Sequence, residues 1–541
     1  MTAVSLKDQQ GAPGWMSGLR WFLIVLVLAP VWLVQRDIWD GVIGTYGLER
    51  NDFAGIREWL VPSNWGLVYL LLRAIGIMAE FTGVPPWAWV KLLICASVIG
   101  LGREARLLAR RVFGWDEKSS RFAELVVLTF PCWYVLYGST FIYLVFIVAV
   151  FMGNRLMHEG TTWPGRCTGY GLLLLSFQVN SNFVMACALE ATRWLFRDRT
   201  RAWPWRRSLL VIGSAIAIYL ALRLIWAPSG PYQGYNNLVW PFSKPGFLAW
   251  VRVAAIALTW APLLVGPAVA AWLVSRSRGM SPTAQGGFSL TEALGVGVLL
   301  AGALFAYMAV GKGAPLFVVQ LPDGWLGTGR HLGKAAQGWI YTTADGWSMR
   351  NAFLFSLPAA IAITSIVRLV LTRRDSQRRA WQVALTVALV ANLGWLANGH
   401  AIKLTRLAQE QAIVSALAAQ PPPPPGTVDL ELSVPVGWAA WTYEANYLFW
   451  LAYRQAAWAA ALFGPDEAGQ RAALVDRNEA LSSSLPKAHF LMDQLPMAGC
   501  HSAYLVELPE RLGAIDMIAD SLGFKQIAPA RLLPRERHCA Q

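Results

Sequence analysis

Apolar residues in this chain gather in long runs separated by short clusters of Arg and Lys. Runs long enough to approach the about 30 Å of a bilayer core recur from residue 21 to residue 395. Nine of them read as single crossings: 21–35, 86–102, 122–138, 141–153, 208–226, 247–274, 290–310, 351–371 and 381–397. The stretch 168–195 differs, because basic residues flank both ends: Arg166 before it, and Arg197, Arg199, Arg201, Arg206 and Arg207 after it. It must cross twice or not at all, yet it is short for two full spans. It therefore reads as a hairpin of short helices with Gln178, Asn180, Ser181 and Asn182 at the tip. Polar backbone at membrane depth is tolerated beside water or inside protein, so Gln178, Asn180 and Asn182 are expected to line a cavity.

Charge orients the runs. Lys7 and Arg20 precede the first, and Arg103, Arg106, Arg110, Arg111, Lys118 and Arg121 follow the second, which places both clusters in the cytoplasm. One full crossing then fits between residues 35 and 103. Residues 65–81 carry Arg73 and Glu80 and read as an amphipathic helix on the external interface, while 86–102 cross. About eleven crossings satisfy the charge pattern, with the N-terminus cytoplasmic and the C-terminus external, as in a bacterial inner-membrane protein. The first twenty residues show no cleavage-site pattern, so the first run reads as an uncleaved membrane helix.

These patterns predict an all-α polytopic membrane module over residues 1–400, with long external loops at 36–85 and 312–350. An Ala/Pro-rich linker is expected at 401–426, since the proline run at 421–425 favours an extended, stiff conformation. Residues 427–541 read as a small external α/β region, with strands near 428–430 and 503–508 and helices at 443–463 and 511–522. The 443–463 helix reads as the core helix of that region; an interfacial helix or a twelfth span is the alternative.

Composition agrees with lipid: 55% of the 541 residues are hydrophobic and 14% charged, where soluble domains carry about a quarter charged. The 28 Trp residues suit a membrane–water boundary. A net charge of +14 raises nucleic acid as a partner, but the basic residues sit between apolar runs, which is the signature of topology. The six Cys residues form no CxxC and no metal-ligand spacing, and no metal site is expected from them. Cys500 and Cys539 lie together in the tail and could pair there if the tail is external.

No phosphate-binding loop, GxSxG elbow, HExxH or complete GxGxxG is present, which argues against ATP-driven transport and zinc hydrolysis on this chain. The candidate chemistry is the segment Arg36-Asp37-Ile38-Trp39-Asp40-Gly41, just outside the first membrane run. Asp37 and Asp40 would share one face of a continuing helix. A bilayer edge can desolvate such carboxylates, raise a pKa and suit one of them to base work on a hydroxyl. The bland alternative is a pair of solvated or helix-capping residues.

A membrane helix, an acidic pair, a long external loop and a second span together resemble the GT-C superfamily of integral-membrane glycosyltransferases. Within the loop, Gly55-Ile-Arg-Glu-Trp and Asn64-Trp-Gly-Leu-Val-Tyr-Leu-Leu look like that superfamily's two interfacial helices. Pro86-Trp-Ala-Trp-Val-Lys-Leu-Leu looks like the start of its second span. The likeness covers roughly the first 200 residues and the external C-terminus. The spacing here is Asp-x-x-Asp, where an adjacent acidic pair is common in the superfamily, so either Asp37 or Asp40 is left as the base. Asp52 and Glu58 are the fallback candidates.

The resemblance implies transfer of a sugar, with inversion, from a polyprenyl-phosphate donor to a cell-envelope glycan, lipid or protein acceptor on the external face. The departing lipid phosphate needs cations, and Arg330, Lys334 and Arg350 in the 312–350 loop are the candidates, among Trp325, Trp339, Tyr341 and Trp347. His331 is a candidate to line the cavity. Isolated Trp and Arg residues of this kind also serve as ordinary interface anchors. A carboxylate pair can also hold a divalent cation, the one cofactor left open. A transporter or flippase of lipid-linked sugars, and a glycan polymerase or ligase, are the competing readings. The absence of a clear internal repeat counts against transport.

Overall fold

The computed structural model describes residues 14–34, 40–62, 65–137, 141–179, 181–196, 205–225, 263–277, 289–309, 352–371, 378–424, 426–433, 442–455, 458–463, 500–510 and 512–539. It is mostly helical, with one small sheet. Helix α1 (Gly14–Leu33) is followed by three helices that precede the next long apolar one: α2 (Asp40–Glu49), α3 (Phe53–Leu60) and α4 (Gly66–Thr82). Helix α5 (Pro86–Arg111) then departs from α4 with a bend of 120°. The cause is local. Gly83 takes φ +68° and donates its N–H to the Ala79 carbonyl, closing α4, and Pro86 starts α5 without a backbone N–H. This is the change of direction expected between residues 65–81 and 86–102.

The helical module continues with α6 (Glu117–Leu128), a 3-10 turn (Pro131–Tyr137), α7 (Phe141–Glu159), α8 (Trp163–Ser176), α9 (Ser181–Leu195) and α10 (Trp205–Ile225). After these come α11 (Leu263–Arg276), α12 (Leu290–Ala309), α13 (Ala352–Val370) and α14 (Arg378–Ala418). Among the described residues, three helices are long and apolar enough to cross a membrane: Met16–Leu33, Phe353–Val370 and Arg379–Ala418. A fourth is added if α4 and α5 count as one bent span, and Ser208–Leu222, Leu263–Arg276 and Leu290–Leu304 are apolar but shorter. These fall below the expected eleven. One expected crossing, 122–138, is instead the short α6 and the 3-10 turn. There Thr129 turns its hydroxyl back to the Leu125 carbonyl at 2.9 Å, and Pro131 cannot continue the ladder.

Small residues allow the closest helix contact. A Cβ on Gly169 of α8 would lie 2.5 Å from the Met157 nitrogen of α7, and one on Gly153 would lie 2.8 Å from the Gly169 carbonyl oxygen. The two backbones therefore touch, as in small-residue helix pairs of membranes.

Ion pairs gather one set of helix ends at a single basic pole. Arg20 of α1 reaches Glu124 of α6 at 2.6 Å, and Arg155 of α7 grips Glu104 of α5 with two nitrogens at 2.8–3.0 Å. Arg193 of α9 donates to Asn154, which donates to Glu190; His158 meets that same carboxylate, each contact being 2.6 Å. Glu292 of α12 accepts from Trp115 at 2.9 Å and lies 3.6 Å from Arg368 of α13. Glu104, Glu124, Glu190, Arg193 and Glu292 are buried, so each needs these partners: breaking one buried pair typically costs about 3–5 kcal/mol. The helix ends joined here are those that the charge clusters assign together.

At the opposite pole α14 runs on. Residues 401–418, expected as linker, are its last turns, and the chain leaves helix only after Ala418. Good helix formers fill that stretch (Leu-Ala-Gln-Glu-Gln-Ala), so the ladder has no local reason to stop. The tail then builds a four-stranded sheet from β1 (Gly426–Leu432), β2 (Trp458–Phe463), β3 (Cys500–Glu507) and β4 (Arg531–Cys539), in the order β2-β1-β3-β4. β1 pairs parallel with β2 and β3, and β4 runs antiparallel to β3. Helix α15 (Thr442–Tyr453) connects β1 to β2 and buries Ala445, Tyr447, Leu448 and Phe449, which makes it a core helix. The expected helix at 443–463 is thus half helix and half strand: Trp458, Ala460 and Leu462 are buried at every second position, the period of a strand. Helix α16 (Ala514–Ser521) fits the expected helix at 511–522. The tail is anchored to α14 by packing of α16 and by the Ala530 N–H on the Ala412 carbonyl at 2.9 Å.

Two substitutions test the packing. Gly169→Val is expected to lower the unfolding temperature in detergent, at a cost of about 1–3 kcal/mol, because a side chain is forced against backbone. Gly171→Val, two residues on and with nothing within 4 Å of its Cβ, should change it little. The α16 cap gives a pH test. Asp516 accepts from the Gly513 N–H at 3.0 Å and from Lys525 at 2.9 Å, and Lys525 first, then Gly513, holds its carboxyl below the ordinary value. That contribution is present above the unfolded value of 3.8 and is lost as pH falls through the lower folded value. A fall in the amide protection factors of α16 on acidification, measured against the intrinsic exchange rate at each pH and absent in Asp516→Asn, is the expected result.

Candidate functional site

The segment between α1 and α5 folds back against the tail. Tyr46 of α2 packs its ring 5.5 Å from Tyr447 and 5.7 Å from Trp450 of α15. Arg50 lies over Tyr46 and Trp450 at 5.1 and 5.6 Å and donates to the Tyr46 hydroxyl at 3.1 Å. Aromatic pairs and stacked guanidinium groups each contribute roughly 0.5–1.5 kcal/mol beyond simple burial, so this cluster fixes how α2 meets α15. On the other side Phe53 of α3 rests on Gly76 of α4, where no larger residue leaves room for its ring.

Beside this contact lies a cleft of about 980 Å³. It is walled by Leu33 at the end of α1, the end of α2, the α4–α5 bend with Trp87, Gln411 and Val414 of α14, and residues of α15 and α16. The volume is at the upper end of the range for small-molecule sites, about 300–1,000 Å³. Three carboxylates, Glu49, Glu80 and Asp520, face one guanidinium, Arg454. Asn51 donates to Glu80 at 3.1 Å, and Asp520 accepts from the Ile527 N–H at 3.0 Å. Glu49 lies 3.5 Å from both the Tyr447 hydroxyl and Arg454. The mixture of carboxylates, one cation, an indole and apolar walls suits a ligand rich in hydroxyls.

Two lining residues have left-handed backbone, Asn51 at φ +56° and Arg454 at φ +55°. Each follows a helix, α2 and α15 respectively, where glycine is the usual residue. Asn tolerates this conformation; Arg does so at a cost of roughly 1–2 kcal/mol. With 65% of its side chain exposed, the Arg454–Glu49 pair contributes at most about 1 kcal/mol in return. Strain retained against the energetic balance is a feature of sites that use a side chain.

Of the residues expected to do chemistry, Asp40 is the first residue of α2, while its side chain and the whole of Asp37 lie outside the described residues. Arg330, His331, Lys334, Arg350 and Asn180 also lie outside them. Asp52 caps α3, accepting from the Gly55 N–H at 2.9 Å, and Glu58 is exposed on α3. Gln178 and Asn182 are buried at the tip of the α8–α9 hairpin, as expected of a hairpin, but they do not line the described cleft. The Gln178 carbonyl oxygen accepts from the Leu67 N–H at 3.1 Å, capping α4, whose own N-cap residue Trp65 offers no side-chain acceptor. Asn182 donates to the Ser176 carbonyl at 2.9 Å. Both contacts are made to protein backbone, while the Asn182 side-chain oxygen is buried without a partner among the described residues. Glu49, Asn51, Glu80 and Arg454 were missed as site residues; the Asn at the end of α2 is the only one that carries a local signal, that of a helix stop.

No family model, curated protein or solved structure matches the chain.

If the Arg454 backbone is strained, Arg454→Gly should leave the melting temperature unchanged or raise it, by up to about 1 kcal/mol of stability. A clear fall would mean that the guanidinium holds the tail together and that the strain argument fails.

Proposed function

We propose that the protein is an integral-membrane glycosyltransferase of the GT-C kind, transferring a sugar from a polyprenyl-phosphate donor to a cell-envelope glycan, lipid or protein acceptor on the external face. The observation that carries the reading is the folding of the segment between α1 and α5. Its three helices end in a sharp bend and close, together with the tail, over a cleft that begins at the end of α1. A donor with a polyprenyl chain would need its reactive end presented at such a boundary. In this reading the chain crosses a bacterial inner membrane several times, with the basic pole in the cytoplasm and the tail outside.

The chemistry is a single displacement. Asp37 or Asp40 takes the proton of an acceptor hydroxyl, whose oxygen attacks the anomeric carbon as the bond to the lipid phosphate breaks. Arg330, Lys334 and Arg350 neutralise the departing phosphate. Glu49, Trp87 and Arg454 bind the acceptor sugar in the cleft. A divalent cation held by the two aspartates would serve the same leaving group.

A second reading, a transporter of lipid-linked sugars, draws on the charged Glu104, Arg155, Glu190 and Arg193 packed between α5, α7 and α9 at the basic pole, since charges enclosed among membrane helices often mark pathways. One experiment separates the two. Purified protein in vesicles is given labelled polyprenyl-phosphate sugars and a membrane extract of acceptors. The glycosyltransferase reading expects label joined to acceptor, with transfer falling about 10²-fold or more in Asp37→Asn or Asp40→Asn while the protein stays folded. Label that crosses the bilayer still attached to its lipid favours the transporter, and full transfer by both variants refutes the proposed base.

A further inference from the structure

Cys500 is the first residue of β3 and Cys539 the last of β4, and the antiparallel register sets their backbones directly opposite each other. Opposed residues in an antiparallel pair have Cα atoms about 4.5 or 5.5 Å apart, depending on whether they share hydrogen bonds. Disulfide-bonded cysteines span about 4.4–6.8 Å, so either kind of pair is compatible with a bond. We propose that Cys500 and Cys539 form a disulfide that fastens β4 to the tail sheet.

The place of this pair in the sheet shows what such a bond would do. β4 is an edge strand whose only neighbour in the described sheet is β3, with Arg535 reaching Glu431 of β1 on the inner side of the irregularity. The ladder between them slips in register between His501 and Ala503, leaving only the pairs Cys500–Cys539 and His501–His538 beyond the irregularity. Hydrogen bonding is weakest where a bulge interrupts a two-strand edge, and a covalent link on its far side keeps that end from peeling away. Four other cysteines are free thiols in the helical module: Cys95 in α5, Cys132 in the 3-10 turn, Cys167 in α8 and Cys187 in α9. Each belongs to a different element from the tail pair.

The bond rests on the external placement of the tail in the proposed topology, because disulfides persist in oxidising compartments. Its formation is a thiol–disulfide exchange. One cysteine, as thiolate, attacks a disulfide-bearing donor to form a mixed disulfide, and the second cysteine displaces the donor's remaining sulfur. The donor accepts two electrons and two protons overall and leaves as two thiols.

The test traps thiols in intact cells with acid, alkylates the full-length protein and maps its tryptic peptides. The expected result is one linked species joining the peptide 488–511, which holds Cys500, to 538–541, which holds Cys539, while Cys95, Cys132, Cys167 and Cys187 are alkylated. Reduction should release it, and Cys500→Ser should leave Cys539 alkylated. Two thiols free in trapped cells overturn the proposal. A parallel sample of purified protein in oxidised glutathione then identifies the cause: bonding there indicts the compartment, and no bonding indicts the register. Neither outcome depends on sugar transfer.

Discussion

The hydrogen-bond ladder of α14 runs without interruption through 41 residues, and the pole opposite the basic one is built on it. At 1.5 Å per residue the helix is roughly 60 Å long, about twice the thickness of a hydrocarbon core. Its first half is apolar enough to cross, and its second half carries α16, the edge of the tail sheet and part of the cleft wall. A helix transmits position along its axis with little bending, so the tail is placed relative to α1 and α5 by the same element that anchors it. A flexible linker at 401–418 would have left the tail free to drift, and the cleft would have had no fixed second wall.

The basic pole works by a different rule. Here buried carboxylates and guanidinium groups are paired across α1, α5, α6, α7, α9, α12 and α13, and none is stable inside protein alone. Replacing such a network with apolar residues could be neutral in energy, but the pairs specify which helix ends meet. The close Gly153–Gly169 contact and these pairs together set α7 against α8 and α9. That hairpin in turn presents Gln178 to the start of α4, linking the helical module to the segment that roofs the cleft.

Much of the helical module was legible because long apolar runs and basic clusters are physically redundant signals. The α4–α5 break, the α8–α9 hairpin and the first and third strands of the tail were read in place. The misreadings share a cause: composition overrode local geometry. Residues 122–138 look like a span until Thr129 and Pro131 are weighed as stops. The proline run made its Ala-rich approach look like linker, although those residues are strong helix formers. In 458–463 the high helix propensity of Ala hid an alternation that only burial reveals. The cleft was illegible for a deeper reason. Glu49 and Arg454 are 405 positions apart in the chain, and only the packing of Tyr46 on α15 brings them within 3.5 Å.

The proposed arrangement places the segment between α1 and α5 and the tail around one cleft on the external side of the membrane. It is tested by placing single cysteines at Asn51 and Asp520, which both line the cleft, in a background lacking the other cysteines. Intact cells or right-side-out vesicles are then exposed to a membrane-impermeant thiol reagent. Both positions should label from outside without permeabilisation, and a short bifunctional reagent should join them when both are present. Labelling of position 51 only after the membrane is opened would place the segment in the cytoplasm and contradict the account.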